Sequence, residues 1–209
     1  MKRKMYLIVK RFFDIILSFI ALVILSPLFL ILAILIKLES KGSVFFKQKR
    51  VSKNKKYFNI LKFRTMRTDA PKDMPTASLK NAESYITKIG VGLRKNSIDE
   101  LPQLINILKG EMSIIGPRPA LWNQYELLEQ RDKYGANGIR PGLTGWAQVN
   151  GRDELSNVKK ATYDGEYAKK MSFGFDIKIF FKTIVNVLKH DGIVEGAVAT
   201  LDEEKEKVS

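Results

Sequence analysis

Two acids stand side by side at Asp99 and Glu100, in the stretch SIDELPQL over residues 97–104. They head an apolar run of Leu101, Leu104, Ile105 and Leu108 in a chain with 36 Lys and Arg against 22 Asp and Glu. Cations crowd around them in the sequence. Arg94 and Lys95 lie just upstream, and downstream Pro117 and Pro119 flank Arg118 in GPRP. A stiff backbone around one arginine suits bidentate binding of a phosphate. Lys62, Arg64 and Arg67 add charge from a strand-like stretch. A carboxylate pair among phosphate-binding cations is the equipment of Mg²⁺-assisted phosphoryl transfer. The plainer reading of two acids before a helix is that they cap it.

Pro102 limits where that helix begins. Its missing N–H and its ring are tolerated in the first turn and break a helix further in. A start at Ser97 would put Pro102 too deep, so the cap falls at Asp99 or Glu100. The acids then sit at the positive end of a helix over residues 100–109.

The composition narrows the chemistry. At 209 residues the chain is long enough for one domain with a sizeable core. It has no cysteine, hence no disulfide framework and no thiolate zinc site. Its one histidine is His190, so a Ser-His-Asp triad or a histidine-rich metal site would rest on a single residue. The net charge of +14 points to a polyanionic partner: nucleic acid, an anionic membrane face or a phosphorylated substrate.

Residues 15–36, IILSFIALVILSPLFLILAILI, form an uncharged run long enough to cross a bilayer, which takes about 20 residues. Ser26-Pro27 sits at its middle. Proline kinks a helix by removing a hydrogen bond, and a neighbouring serine can satisfy the carbonyl it frees. Both flanks are basic, with Lys2, Arg3, Lys4, Lys10 and Arg11 before and Lys37, Lys41, Lys47, Lys49 and Arg50 after. Basic flanks stay in the cytoplasm. A helix that enters, bends and leaves on the same side satisfies both; a kinked single span is the alternative. Arg11 and Asp14 have the spacing to pair on one helix face.

Beyond residue 43, SVFFKQKR and KYFNILKFRTM read as short strands and RTDAPKDMPTASLKNAE as a loop. Helices are expected over residues 121–133, 154–170 and 175–189, and GIRPGLTGWAQVNGR is irregular. The last helix carries Ile177, Phe180, Phe181, Ile184, Val187 and Leu188 at helical spacing with lysines between. It can lie in a membrane interface or pack on the core.

Six stretches together carry a resemblance to a known family: KRFFDIILSFIALVILSPLFL, FKQKR, KFRTM, LRKNSIDELPQLINILKGEMSIIGPRP, RPGLTGWAQVNGR and DGEYAKKMSFGFDIKI. The chain resembles the bacterial sugar transferases, the monotopic polyprenyl-phosphate phosphoglycosyl transferases, over about residues 6–195. The resemblance implies an α+β fold: a re-entrant membrane helix-kink-helix bent at Ser26-Pro27, and a small mixed cytoplasmic domain with interfacial amphipathic helices. Residues 1–40 would be the membrane piece, 41–196 the catalytic domain and 197–209 a disordered tail. The implied reaction moves a sugar 1-phosphate from a UDP-sugar to polyprenyl (undecaprenyl) phosphate, with Mg²⁺ as cofactor and UMP released. It would run at the cytoplasmic face of a bacterial inner membrane and begin a surface glycan.

Carried over by motif, Asp99 is the nucleophile that forms an aspartyl phospho-sugar, and Glu100 is its partner in metal or proton handling. Lys62, Arg94 and Arg118 are implied phosphate ligands. Asp164, in DGEY, is a candidate active-site acid, and Arg140, Gln148 and Arg152 are candidate nucleotide contacts. SYITKIG and GPRPALWNQYEL look like relatives that use N-acetylated or deoxygenated UDP-sugars. They favour an N-acetylhexosamine-type donor over UDP-glucose or UDP-galactose. A rival reading is a membrane-tethered nucleic-acid-binding protein using Tyr57, Phe58, Phe63 and Trp146. It leaves the acidic pair and the arginine turn without a purpose, so nucleic acid is not an expected partner. The bilayer and the two substrates are; a homo-oligomer is left open.

Overall fold

A computed structural model describes residues 2–74, 79, 81–151 and 154–189. The expected strands form an antiparallel hairpin, β1 (Phe45–Val51) and β2 (Tyr57–Phe63). Its turn passes through Asn54 and Lys55, both with positive φ. Helix α2 (Lys88–Lys95) follows, in a stretch where two glycines hide any helical pattern. Thr87 caps it by accepting from the Gly90 N–H at 3.0 Å. Gly90 is required there, because a Cβ would lie 2.2 Å from the Thr65 carbonyl. Helix α3 (Gln103–Leu108) leads into β3 (Ser113–Ile115) and, after α4 (Tyr125–Lys133), β4 (Gly142–Thr144) pairs with β3 in parallel. Helices α5 (Asn157–Lys170) and α6 (Phe173–Lys189) close the described chain. The tail over residues 197–209 lies outside the described residues.

Helix α1 (Lys2–Glu39) is a single helical segment that contains Pro27. Proline at 27 leaves the carbonyl of Val23 without its usual amide, and the Ser26 hydroxyl donates to that carbonyl at 2.8 Å. The expected serine–proline pairing is therefore in place, and it lets helical geometry run on through the proline. One stripe of α1 packs along the rest of the protein. Tyr6 and Lys10 meet α6, Leu22 and Leu25 cover Phe58 and Leu104, and Leu32 and Ile36 pack on Phe63 and Leu93. Both ends of α1 thus contact the same mixed domain. Its opposite face leaves Phe12, Phe19, Val23, Ile24, Leu30 and Ile31 exposed. By length and composition this is the one described helix able to cross a membrane.

Two local expectations are corrected. Arg11 and Asp14 do not hydrogen-bond to each other: Arg11 donates to the carbonyls of Ile107 and Leu108, and Asp14 accepts the Ile114 N–H at 3.0 Å. The open carbonyls at the end of α3 and the free amide of β3 recruit them, since buried backbone groups need partners more than a helix-surface ion pair does. Arg64 does not face the acids either. Its guanidinium is buried and donates to the Ile36, Ser40 and Lys41 carbonyls, which caps α1. Helix α6 packs on the core through Ile179, while Ile177, Phe180, Phe181 and Leu188 are exposed.

Candidate active site

Strand β2 alternates, so Phe58, Ile60 and Lys62 share one face. Phe58 and Ile60 are buried under α3. Lys62 lies at the end of that face, where the chain before α3 turns. Asn106 fixes the register of α3 on β2: its Oδ1 accepts the Leu61 N–H and its Nδ2 donates to the Asn59 carbonyl, both at 2.9 Å. Lys62 Nζ then sits 2.7 Å from Glu100 Oε1 and 3.7 Å from Asp99 Oδ2.

The acids do not occupy the cap of α3. They lie in a 3-10 turn, Ile98–Glu100, and Pro102 takes the cap position with no side-chain cap bond. The tighter turn lets the proline come before the helix rather than inside its first turn, so the capping reading fails here. Ser97 enters this turn at φ 54°. A left-handed residue with a Cβ costs about 1–3 kcal/mol and persists where its surroundings hold it. Here it reverses the chain between Arg94 on α2 and the acids. Arg94 Nε donates to Thr65 Oγ1 at 3.0 Å, which ties it to the end of β2.

Arg118 comes from the other side. Its Nη2 lies 3.1 Å from Glu100 Oε1. Glu100 Oε1 therefore holds Lys62 and Arg118 together, while Asp99 keeps the looser contact with Lys62. Both acids are only 7 % exposed. Burial pushes the Asp99 carboxyl above its ordinary range; Lys62 opposes this, Glu100 adds to it, and Arg94 and Arg118 oppose it. Two adjacent buried carboxylates thus share a site with Lys62, Arg118 and the charge of Arg94.

The model of the family described as bacterial sugar transferase matches residues 5–190. The chain belongs to that family. It is 38% identical over 189 residues to the exopolysaccharide production protein ExoY of Sinorhizobium fredii, covering 84% of this chain and 83% of that one. It is 42% identical to the undecaprenyl-phosphate glucose phosphotransferase of Komagataeibacter xylinus, over 84% of this chain and 35% of that one. It is also 40% identical to the UDP-N-acetylgalactosamine-undecaprenyl-phosphate N-acetylgalactosaminephosphotransferase of Aeromonas hydrophila, over 88% of this chain and 44% of that one. This sugar transferase thus spans most of the first relative and under half of the other two.

Of the predicted site residues of this sugar transferase, Lys62, Arg94, Asp99, Glu100 and Arg118 come together. Arg67 turns outward to Asp69, with Nη2 to Oδ2 at 2.6 Å. Arg140 Nε donates to the Gly110 carbonyl at 3.0 Å, beyond the end of α3. Gln148 Nε2 donates to the Leu143 carbonyl at 3.0 Å. Arg152 lies outside the described residues. Asp164 is 1 % exposed and accepts from Arg131, with Nε to Oδ2 at 2.8 Å. Burial raises its pKa and Arg131 works against that. Arg131, Arg50, Thr65 and Asn106 are supporting residues that the sequence reading missed. Asn106 left a trace, as a polar residue inside an apolar helix; the others show no local signal.

Mg²⁺ suits this donor set. It is bound through one or two carboxylates plus substrate phosphates and water, and Asp99 and Glu100 are adjacent hard oxygen donors. Among the described residues no group of three or more His, Cys, Asp or Glu could hold a metal ion. For Arg118, the Arg118→Lys variant is expected to lose about tenfold or more in kcat/KM, since a charge-assisted hydrogen bond contributes about 1.5–3 kcal/mol. Steady-state UMP release measures it; a near-normal value would mean that charge alone suffices.

Proposed function

We propose that this enzyme transfers a sugar 1-phosphate from a UDP-sugar to polyprenyl (undecaprenyl) phosphate and releases UMP, through a covalent aspartyl intermediate. The observation that carries the reading is the buried Asp99–Glu100 pair, with Lys62 and Arg118 drawn onto Glu100. Glu100 is held by cations, and Asp99 is the carboxylate left with the looser contact. An Asp99 oxygen attacks the β-phosphorus, the bond from that phosphorus to the bridging oxygen breaks, and UMP departs with the electron pair. A polyprenyl phosphate oxygen then attacks the same phosphorus. The P–O bond to Asp99 breaks, the carboxylate is restored, and polyprenyl diphospho-sugar leaves. Lys62, Arg94 and Arg118 reduce the repulsion between carboxylate and diphosphate and stabilise charge on the transferring group. Mg²⁺ held by Asp99 and Glu100 would add Lewis-acid stabilisation of the phosphoryl oxygens. Covalent catalysis lets a soluble donor and a lipid acceptor use the site in turn.

The donor is assigned to the UDP-N-acetylhexosamine type, in line with the Aeromonas relative's name; UDP-glucose or UDP-galactose is the second reading, and the glucose in the Komagataeibacter relative's name favours it. Residues 1–40 serve as the membrane piece and 41–196 as the catalytic piece. We assign a monotopic placement on the cytoplasmic face of the bacterial inner membrane, supported by the contacts of both ends of α1 with one domain and by its basic flanks. Cysteines placed at Lys4 and Lys53 should then be equally shielded from a membrane-impermeant thiol reagent outside intact cells; labelling at Lys4 alone would reverse the assignment. The activity is tested by UMP release over a panel of UDP-sugars with undecaprenyl phosphate. Release should stop on chelation and return with Mg²⁺. Absence of release with every donor would refute the reaction.

A further inference from the structure

The turn that carries Arg118 is bonded at four consecutive carbonyls by donors from three different elements. Pro117 O accepts the Gly142 N–H of β4 at 2.8 Å, and Ala120 O accepts the Val51 N–H of β1 at 2.9 Å. Between them, Arg118 O accepts Arg131 Nη2 of α4, and Pro119 O accepts Arg50 Nη1 of β1, each at 2.9 Å. Both arginines are themselves held. Asp164 of α5 takes Arg131 Nε and Nη2 at 2.8 and 2.7 Å, and Gln48 Oε1 takes Arg50 Nε and Nη2 at 3.0 and 2.6 Å. Two side chains that could bind phosphate are thus spent on backbone carbonyls next to Arg118, whose Nη2 reaches Glu100. Proline at 117 and 119 already narrows the backbone; the two guanidinium groups fix what freedom remains.

We propose that Arg131, backed by Asp164, and Arg50, backed by Gln48, are positioning residues that clamp the Arg118 and Pro119 carbonyls and so aim the Arg118 guanidinium at the donor's diphosphate. This rests on the reading of the site given above. It moves Asp164 out of the set of groups that meet substrate and explains why a carboxylate only 1 % exposed faces an arginine rather than the acidic pair. Arg131 Nη2 bridges Asp164 Oδ2 and Arg118 O, so a lysine there would keep the charge and lose the bridge. A misplacement of about 1 Å costs on the order of 100-fold in rate, which sets the range the clamp controls.

The test is a double-mutant cycle on the full-length protein in detergent. Arg131→Lys and Arg50→Lys are made alone and in an Arg118→Lys background. Two quantities are read: kcat/KM for UMP release and affinity for inorganic pyrophosphate by calorimetry. Each single variant is expected to lower kcat/KM by about 10- to 100-fold and to weaken pyrophosphate binding. Both losses should shrink to within about twofold when Arg118 is already lysine, because the clamp acts only through it. Losses of equal size in both backgrounds would overturn the proposal and leave Arg131 and Arg50 as general supports of the fold. Arg50→Lys covers the case in which Arg131→Lys fails to fold, since Arg50 is only partly buried. If the wild type releases no UMP from any donor, the reaction assignment fails by itself; the pyrophosphate cycle still decides the clamp, and wild-type protein with no pyrophosphate affinity counts against it.

Discussion

Asp99→Asn should abolish turnover and leave the fold intact. Loss of a catalytic nucleophile costs on the order of 10⁴-fold or more, and an amide is a poor nucleophile and a poor metal ligand. The stability side follows from the sign of the pKa shift. The folded-state pKa of Asp99 is raised above its ordinary value of 3.8, with burial the largest cause. Below that ordinary value the carboxyl is protonated in both states, and its titration adds nothing to either. Between that value and the raised folded one, the unfolded chain ionises while the native protein holds its proton, so stability falls as pH rises. The penalty is complete above the raised folded value. Asparagine never ionises, so at pH 7 the variant should melt no lower than wild type, and the two should converge in acid. A pH series of thermal unfolding curves measures this, beside UMP release. Ping-pong kinetics should accompany wild-type activity, and label from a radiolabelled donor should be trapped on wild-type protein, but not on the variant, when polyprenyl phosphate is left out. An active variant, or sequential kinetics with no trapped label, would replace the covalent route with direct transfer. A variant that melts well below wild type at pH 7 would return Asp99 to a structural role. The acids lie in a 3-10 turn ahead of α3 with no side-chain cap bond, so helix capping is not what they supply.

The parts of this site that sequence exposes are those encoded by neighbours. SIDELPQL places two acids before a proline, GPRP stiffens one arginine, and the alternation of YFNILKF puts Lys62 on the face of Phe58 and Ile60. Short-range rules suffice for these, and the five residues converge as expected. Rules of that kind fail where a side chain's partner is distant in sequence. Arg64, Arg67 and Lys62 come from one short stretch and look alike; one caps α1, one pairs with Asp69 and one reaches Glu100. Arg131 reads as an ordinary surface residue of an amphipathic helix, yet its partner Asp164 is 33 residues away. Helix α2 was invisible because Gly90 and Gly92 weaken the pattern, and the need for Gly90 is visible only once Thr65 is seen against it. In α1 the hydrophobic run makes a helix long and apolar enough to cross a membrane, but the stripe that docks on the domain is set by Phe58, Phe63, Leu93 and Leu104, all far along the chain.

The same limit applies at Asp176, whose substitution should have the largest effect on stability. Asp176 is 8 % exposed and stands in the first turn of α6, where a carboxylate is favoured by the helix dipole. Its Oδ2 accepts Tyr6 OH at 2.7 Å and Lys10 Nζ at 2.8 Å, and its Oδ1 accepts Tyr167 OH at 2.8 Å. Burial, with the carboxylate next to it, raises the Tyr167 pKa, so the phenol stays a neutral donor. Asp176→Ala would remove the ion-pair partner of Lys10, itself 9 % exposed, and the acceptor of the Tyr6 hydroxyl, while Tyr167 OH keeps the Ile115 carbonyl at 3.2 Å. Breaking one side of a buried ion pair costs about 3–5 kcal/mol, a large part of a domain's whole stability. Lys10→Met should likewise destabilise, because it leaves the carboxylate buried without its cation. Lys10→Met combined with Asp176→Leu removes both charges and should recover much of the loss, though Tyr6 still lacks its acceptor. Chemical unfolding of the four proteins in one detergent gives the coupling directly. The latch also fixes the start of α1 against the start of α6. Asp176→Ala should therefore lower stability while leaving in place the Asp99–Glu100 cluster, which is built from β2, α2, the 3-10 turn and the Arg118 turn. Wild-type stability in Asp176→Ala would mean that Lys10 finds solvent at no cost and that the latch holds nothing.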